Sequence, residues 1–190
     1  MHQEKQQQFT CWGYINMAMS LGSFASRVVA TKVVATDGTG DFTTIQEAID
    51  ALPSTGGVVY IKEGTYTITS SISINKPNVA IVGAGKSTKI QTTADIIMID
   101  VDVGQSFSIE KIYLYGAGTG KTNNIGIDVN TSSLSIISNC WIENTGSDGI
   151  HTTSGVDSFT ITENMIINCF QSGIYFQYSG KSRIPSLPYL

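Results

Sequence analysis

The chain has few charged residues, and its cations form no cluster. Asp, Glu, Lys and Arg make up 14% of the 190 positions, and the formal net charge is −4. Proteins that hold nucleic acid usually present a patch of basic side chains to the phosphates. No such basic run exists here, so we expect no nucleic-acid partner.

Long hydrophobic runs are also missing. No stretch reaches the ~18 uninterrupted apolar residues that suggest a membrane-spanning helix, so we expect no membrane span. Residues 11–30 are moderately apolar and follow Lys5, which resembles a poor signal peptide because polar residues such as Asn16 and Ser20 interrupt it. We expect residues 1–30 to be either a weak signal-like segment or a loose N-terminal extension.

The sequence does contain a repeat that returns every 23 to 28 residues. One column of it runs through Ile99, Ile127, Ile150 and Ile174, and the last three follow a glycine directly. A second apolar column is predicted at Ile81, Ile109, Ile136 and Ile161. Two columns that advance together are typical of a solenoid, in which each short turn buries its apolar side chains against its neighbours.

The pattern predicts an all-β fold, a right-handed parallel β-helix of about five rungs with an N-terminal capping helix. The helix is expected at about residues 44–52, where Ile45, Ala48, Ile49 and Leu52 share one face. We therefore divide the chain into a strand and capping helix (31–57), a parallel β-helix (58–180) and an irregular tail (181–190). The chain is expected to be truncated, and an uncapped C-terminal end would favour self-association.

The N-terminal part also resembles a known superfamily. Residues 33–49, 57–66 and 79–85 look like the start of the pectin-lyase-like superfamily, whose members include pectate lyases, polygalacturonases and pectin methylesterases. The block includes the run Asp37-Gly38-Thr39-Gly40-Asp41-Phe42, and as a whole it is specific for the superfamily. This segment implies the fold and not the chemistry. The Gln-Asp-Thr-Leu-like and Asp-Phe-hydrophobic-Phe-Gly-like segments that carry the methylesterases' catalytic aspartates are absent here.

Candidate chemistry lies on the outward side of the first column. Successive side chains of a strand face opposite sides, so inward isoleucines place Asp100, Asp128, His151 and Tyr175 outward in one column. Asp100 and Asp128 could bind Ca²⁺, a use that the resemblance to pectate lyases supports, or they could act as an acid and base pair. His151 could transfer protons and Tyr175 could stack on a sugar ring. The alternative is a solvated polar face without a function.

Asp148 is a separate catalytic candidate. Residues 144–151 are similar to the Asn-Thr-Asp-Gly-Ile-His run of polygalacturonases, with two residues inserted. In that family the aspartate belongs to a group of carboxylates that protonates the leaving oxygen and activates water. The next rung of that family carries paired aspartates, whereas this chain has Gln171-Ser172-Gly173. Asp148 could instead hold a corner turn through hydrogen bonds to backbone.

Two functions remain open at this point. The first is an extracytoplasmic protein resembling pectate-lyase-like enzymes that acts on or binds acidic polysaccharide, as a polysaccharide lyase or glycoside hydrolase if it is an enzyme. The second is a non-catalytic β-helix that serves as an adhesin, a spike or a surface structural module. Either function implies an extracellular or cell-surface location.

Overall fold

The computed structural model describes residues 31–102, 104 and 106–177 of the chain. The expectations for residues 1–30 and for the tail at 181–190 lie outside these described residues. All strand pairs that are described run parallel, and the chain winds into a β-solenoid of about six turns. The predicted all-β solenoid is therefore confirmed, whereas self-association through its C-terminal end stays a prediction.

The strands are short, as the closely spaced turn residues predict. Most have three to five residues, whereas two are more than twice as long. The strands are β1 Thr31–Val34, β2 Gly57–Ile61, β3 Gly64–Thr67, β4 Ile72–Ile74, β5 Val79–Val82, β6 Thr88–Gln91, β7 Ile99–Asp102, β8 Phe107–Glu110, β9 Tyr113–Tyr115, β10 Ile127–Ser138, β11 Trp141–Glu143, β12 Ile150–Thr162, β13 Met165–Ile167 and β14 Ile174–Phe176. Within the described ranges, one α-helix, α1, spans Ile45–Asp50, and a 3₁₀ turn spans Gly85–Ser87.

The strands form three faces along the solenoid. Face A contains β4, β7, the first parts of β10 and β12, and β14. Face B contains β1, β2, β5, β8 and the second parts of β10 and β12, and face C contains β3, β6, β9, β11 and β13. Strands β10 and β12 run through the corner between faces A and B, where the register shifts between Val129 and Thr131. Each full rung of the described part thus contains three strands.

The first isoleucine column forms the core of face A. Ile72 pairs with Ile99, Ile99 with Ile127, Ile127 with Ile150 and Ile150 with Ile174. The first four side chains are buried, and Ile174 in the last described turn is 41% exposed because no described strand lies beyond it. Each turn is too small to bury its own isoleucine, so the stacking of this ladder stabilises the solenoid along its axis.

The second predicted column is confirmed at Ile81, Ile109 and Ile161 and is wrong at Ile136. Ile81 pairs with Ile109, Ile109 pairs with Ile137, and Ile137 pairs with Ile161, so Ile137 and not Ile136 is the inward residue. Ile137 is fully buried, whereas Ile136 is 42% exposed. A shift of one residue reverses the direction of a strand side chain. The step from Ile109 to Ile137 is as long as the step from Ile81 to Ile109, so a constant repeat length selects Ile137 and not Ile136.

Helix α1 covers the first turns, as predicted, although it is shorter than the expected 44–52. Thr44 is the N-cap residue: its Oγ accepts from the backbone N–H of Glu47 at 3.4 Å and donates to the Glu47 carboxylate at 2.7 Å. The buried face consists of Ile45, Ala48 and Ile49. Among the described residues, no helix has the length and apolar character that crossing a bilayer requires.

Two side chains attach α1 to the solenoid. The Gln46 side chain accepts from the Ser73 backbone N–H at 2.7 Å and donates to the Ser73 carbonyl at 3.3 Å, so it occupies part of the free edge of β4. The Lys76 ammonium donates to the carbonyl oxygens of Ile49, Asp50 and Leu52 at 3.1, 2.7 and 2.8 Å. These bonds give side-chain partners to carbonyls at the end of the helix, where the Ile49 carbonyl also accepts from the Leu52 backbone N–H at 3.1 Å.

The number of turns exceeds the expected five because the first strand already belongs to the solenoid. Strand β1 pairs in parallel with β2, with Thr31 opposite Val58 and Val34 opposite Ile61. The predicted boundary at residue 57 therefore runs through the sheet of face B. Helix α1 lies in the connection between β1 and β2, and these two strands pair with each other.

Candidate functional site

The four residues predicted to lie outward on face A form one column in the structure. Asp100 pairs in register with Asp128, Asp128 with His151, and His151 with Tyr175. Parallel strands hold equivalent positions about 4.8 Å apart, which keeps neighbouring side chains within contact distance. The predicted column is therefore confirmed as an arrangement, and the chemical roles of its members stay predictions.

The closest contact in the column joins Asp128 and His151. Asp128 Oδ1 lies 2.6 Å from His151 Nδ1. The Asp128 residue is 7% exposed, and the His151 side chain is 21% exposed. A carboxylate at Nδ1 favours the tautomer that carries its proton on that nitrogen, which leaves Nε2 free to accept a proton. The pair therefore has the geometry of an oriented general base.

Asp100 lies on the other side of Asp128 and is half-buried. Its Oδ1 accepts a hydrogen bond from the Asn130 side-chain amide at 3.0 Å. Burial, and then the negative charges of Asp128 and Asp102, raise the pKa of Asp100, and the bond from Asn130 lowers it in part. Two neighbouring carboxylates with different partners can divide into one that stays ionised and one that holds a proton more readily.

Tyr175 ends the column and is 46% exposed. Its ring stacks on the His151 imidazole, with centroids 5.2 Å apart and planes 9° from parallel. The stack orients the imidazole from the side opposite to Asp128. One face of the phenol ring is thus already covered, so the predicted stacking on a sugar would use the other face.

The structure does not bring Asp148 into this column. Asp148 is buried in the turn before β12, where its Oδ1 accepts from the Ser172 backbone N–H at 2.9 Å. This bond joins one turn of the solenoid to the next, which is the structural role that the sequence left open. A catalytic role for Asp148 stays a prediction.

The predicted calcium ligands are neighbours but form an incomplete set. Ca²⁺ takes about 6–8 oxygen ligands, and the column offers the carboxylates of Asp100 and Asp128, one oxygen of which already contacts His151. Within the described ranges, no group of three or more His, Cys, Asp or Glu side chains could hold a metal ion. Any bound Ca²⁺ would therefore need water or substrate oxygens for most of its shell.

Two residues beside the column were not predicted. Asn130 donates to Asp100 across the turn, and Asp102 adds negative charge near it. Both follow a predicted site residue by two positions, so the alternation of strand side chains could have indicated them. The bulge at the corner still decides which of them reaches the column.

The raised pKa of Asp100 predicts how a substitution changes stability with pH. A carboxyl whose folded pKa lies above its unfolded value binds more protons in the folded state, so its contribution to stability falls as pH rises through that interval. We expect Asp100→Asn to be more stable than the parent at pH 7 and to lose that advantage near pH 3. Urea unfolding at both pH values measures this, and an advantage of equal size at both would contradict it.

The described part of the chain is thus a parallel β-solenoid that carries a column of carboxylate and imidazole side chains on one face. The Pectinesterase family model matches residues 31–146, which is more than half of the chain. The chain belongs to the pectinesterase family. Pectinesterase 1 of Solanum lycopersicum is 34% identical over 131 residues, covering 61% of this chain and 23% of that protein.

Further similarities agree with this fold. Pectinesterase/pectinesterase inhibitor 18 of Arabidopsis thaliana is 33% identical over 131 residues, which cover 62% of this chain and 23% of that protein. The chain thus spans about a quarter of the length of these relatives. Among solved structures, Geobacillus virus E2 ORF18 is similar with a TM-score of 0.55 and 25% identity, over 80% of this chain and 32% of that one.

The family match changes the expected enzyme class, and it covers only part of the outward column. The chain is a relative of pectinesterases, whereas the sequence analysis expected a protein that resembles pectate lyases. Asp100 and Asp128 lie within the matched segment, whereas Asp148, His151 and Tyr175 lie beyond residue 146. The carboxylates therefore belong to the family-like part, and the imidazole comes from the turns that follow.

Proposed function

We propose that the column hydrolyses an ester of an acidic polysaccharide of the pectin type. The observation that carries this proposal is the 2.6 Å contact between Asp128 Oδ1 and His151 Nδ1 on an outward face. Membership of the pectinesterase family supports the substrate class and the reaction. A polysaccharide substrate also favours an extracellular or cell-surface location.

The reaction needs a base for water and an acid for the leaving group. His151 Nε2 takes a proton from water while the resulting hydroxide attacks the ester carbonyl carbon, and Asp128 stabilises the imidazolium that forms. The tetrahedral intermediate then expels methoxide, which takes the proton from His151 and leaves as methanol. The products are one carboxylic acid group and one methanol for each ester and water consumed.

In this scheme Asp100 contacts the oxyanion of the tetrahedral intermediate, and the effect of that contact depends on the charge of Asp100. In its protonated form it can donate a hydrogen bond to the oxyanion, and its raised pKa extends the pH range in which that form exists. In its ionised form it would repel the oxyanion. The scheme therefore requires Asp100 to be protonated when the hydroxide attacks the ester.

A panel of product assays tests the proposed reaction. We expect methanol from highly methyl-esterified pectin, without unsaturated products from polygalacturonate. Unsaturated products would indicate a lyase, and new reducing ends without unsaturation would indicate a glycoside hydrolase and direct attention to Asp148. Each assay is run with Ca²⁺ and with a chelator. Activity lost in chelator and restored by Ca²⁺ would support the calcium ligands Asp100 and Asp128, and activity retained in chelator would contradict them.

A non-catalytic surface module is the second candidate. The observation that favours it is the similarity to Geobacillus virus E2 ORF18 over 80% of this chain, a larger share than the pectinesterase relatives cover. In this case the column would be a solvated polar face on an adhesin or spike. Absence of all three products, together with retained folding, would favour this candidate over the enzyme.

A further inference from the structure

The outward side of face C carries a strip of lysine and aromatic side chains. Lys89 pairs in register with Tyr113, Tyr113 with Trp141, and Trp141 with Met165. Their strands expose alternate residues, and the intervening Ile90, Leu114 and Ile142 are fully buried in the core. Because face C belongs to a different sheet from the column, this strip is a separate surface.

Two ammonium groups are held against the rings of this strip. The Lys86 Nζ lies 3.4 Å from the Trp141 ring centroid and 5.5 Å from that of Tyr113. The Lys89 Nζ lies 4.3 Å from the Tyr115 centroid and 5.4 Å from that of Tyr113. Such cation–π contacts fix long, flexible side chains on the surface. Two positive charges therefore flank the single ring of Tyr113.

Two carboxylates lie near the strip: Glu163 lines the same concavity as Lys86 and Trp141, and Glu143 is bonded to the rings. Glu143 accepts from the Tyr113 hydroxyl at 2.9 Å and from the Trp141 indole N–H at 3.1 Å. Burial, followed by the bond and charge of Glu143, raises the pKa of Tyr113 to about 12, so this hydroxyl remains a donor. Among the described residues, the one cation–carboxylate contact within ion-pair distance is that of His151 and Asp128. Lys86 and Lys89 therefore face solvent without a carboxylate in ion-pair contact.

We propose that this strip binds an anionic sugar chain of the uronate type. The two ammonium groups would pair with sugar carboxylates, and the aromatic strip with the exposed Met165 would contact the apolar faces of the rings. The complementarity is local, because a net charge of −4 disfavours a polyanion elsewhere on the surface. This binding goes beyond the proposed hydrolysis, since it retains a chain outside the column.

Affinity measurements on the full chain test the proposal with polygalacturonate as the probe and dextran as the neutral control. The variant Lys86→Gln/Lys89→Gln should bind polygalacturonate about tenfold more weakly, which corresponds to ~1.4 kcal/mol. Lys86→Arg/Lys89→Arg should retain binding, because arginine keeps both the charge and the ring contact. The charge-matched control Lys32→Gln/Lys121→Gln removes one lysine of β1 and one of the loop before β10, and it should bind as the parent does.

A fluorescence titration locates the binding. The chain has two tryptophans, Trp12 and Trp141, so Trp12→Phe leaves Trp141 as the single reporter. We expect polygalacturonate to change the Trp141 emission, with an effect that weakens as salt is added. Unchanged affinity in the Lys86→Gln/Lys89→Gln variant, equal loss in the control, or equal binding of dextran would overturn the proposal. Because these readouts measure binding alone, an inactive column would not affect them.

Discussion

Asp128→Asn is expected to lower methanol release from esterified pectin by about 10²- to 10⁴-fold, the range that a general acid or base contributes. Asparagine keeps the shape of the side chain, and its oxygen can still accept from His151 Nδ1. It carries no charge, however, so it cannot stabilise the imidazolium that forms when His151 takes a proton. The loss should therefore fall on kcat, with the free energy of unfolding little changed.

The control for this substitution is a carboxylate outside the column. Glu110 lies on the outward side of β8 in face B, so Glu110→Gln removes the same charge without touching His151. His151→Gln should be as inactive as Asp128→Asn, and the double variant should lose little more, since the two residues act as one unit. Full activity in Asp128→Asn would show that the pair is structural.

The largest expected effect on stability comes from the neighbouring isoleucines of β10. Ile137→Ala should lower the free energy of unfolding by about 2–5 kcal/mol, because it leaves a cavity in a fully buried ladder. Ile136→Ala should cost about 1 kcal/mol or less, because that side chain is 42% exposed. The two variants remove the same atoms from adjacent positions of one strand, so each serves as the control for the other.

Urea unfolding followed by circular dichroism measures both values. The predicted order tests the register of β10 directly, since a shift of one residue exchanges the two side chains between core and surface. If Ile136→Ala were the more damaging, the column Ile81, Ile109, Ile136, Ile161 expected from the sequence would be restored. Equal losses would mean that neither side chain is fully enclosed at this corner.

The fold was largely predictable because each turn of a solenoid repeats the same arrangement of strands and inward side chains. Ile99, Ile127 and Ile150 recur at the spacing of a turn, and stacking requires that each occupy the same inward position. The same reasoning failed at Ile136. The step from Ile81 to Ile109 recurs between Ile109 and Ile137, so Ile136 falls one residue short of the repeat and faces the other side of the strand.

The sequence predicted which residues form the outward column, but it did not predict which of their side chains contact each other. Alternation along strands was enough to place Asp100, Asp128, His151 and Tyr175 together. It could not show that Asp128 contacts His151 and Asp100 contacts Asn130, because these choices depend on side-chain conformations across turns. Asp148, chosen from a local resemblance, proved to bond to the backbone of the next turn.

The sequence by itself determined the solenoid, its capping helix, the isoleucine ladder of face A and the residues of the outward column. All of these follow from periodic positions, which the geometry of a strand translates directly into inward and outward directions. Only the tertiary structure decided which carboxylate contacts the imidazole, and that Lys86 and Lys89 meet on the rings of face C. Those outcomes depend on side-chain conformations and on contacts between residues of neighbouring turns, which lie far apart in the sequence.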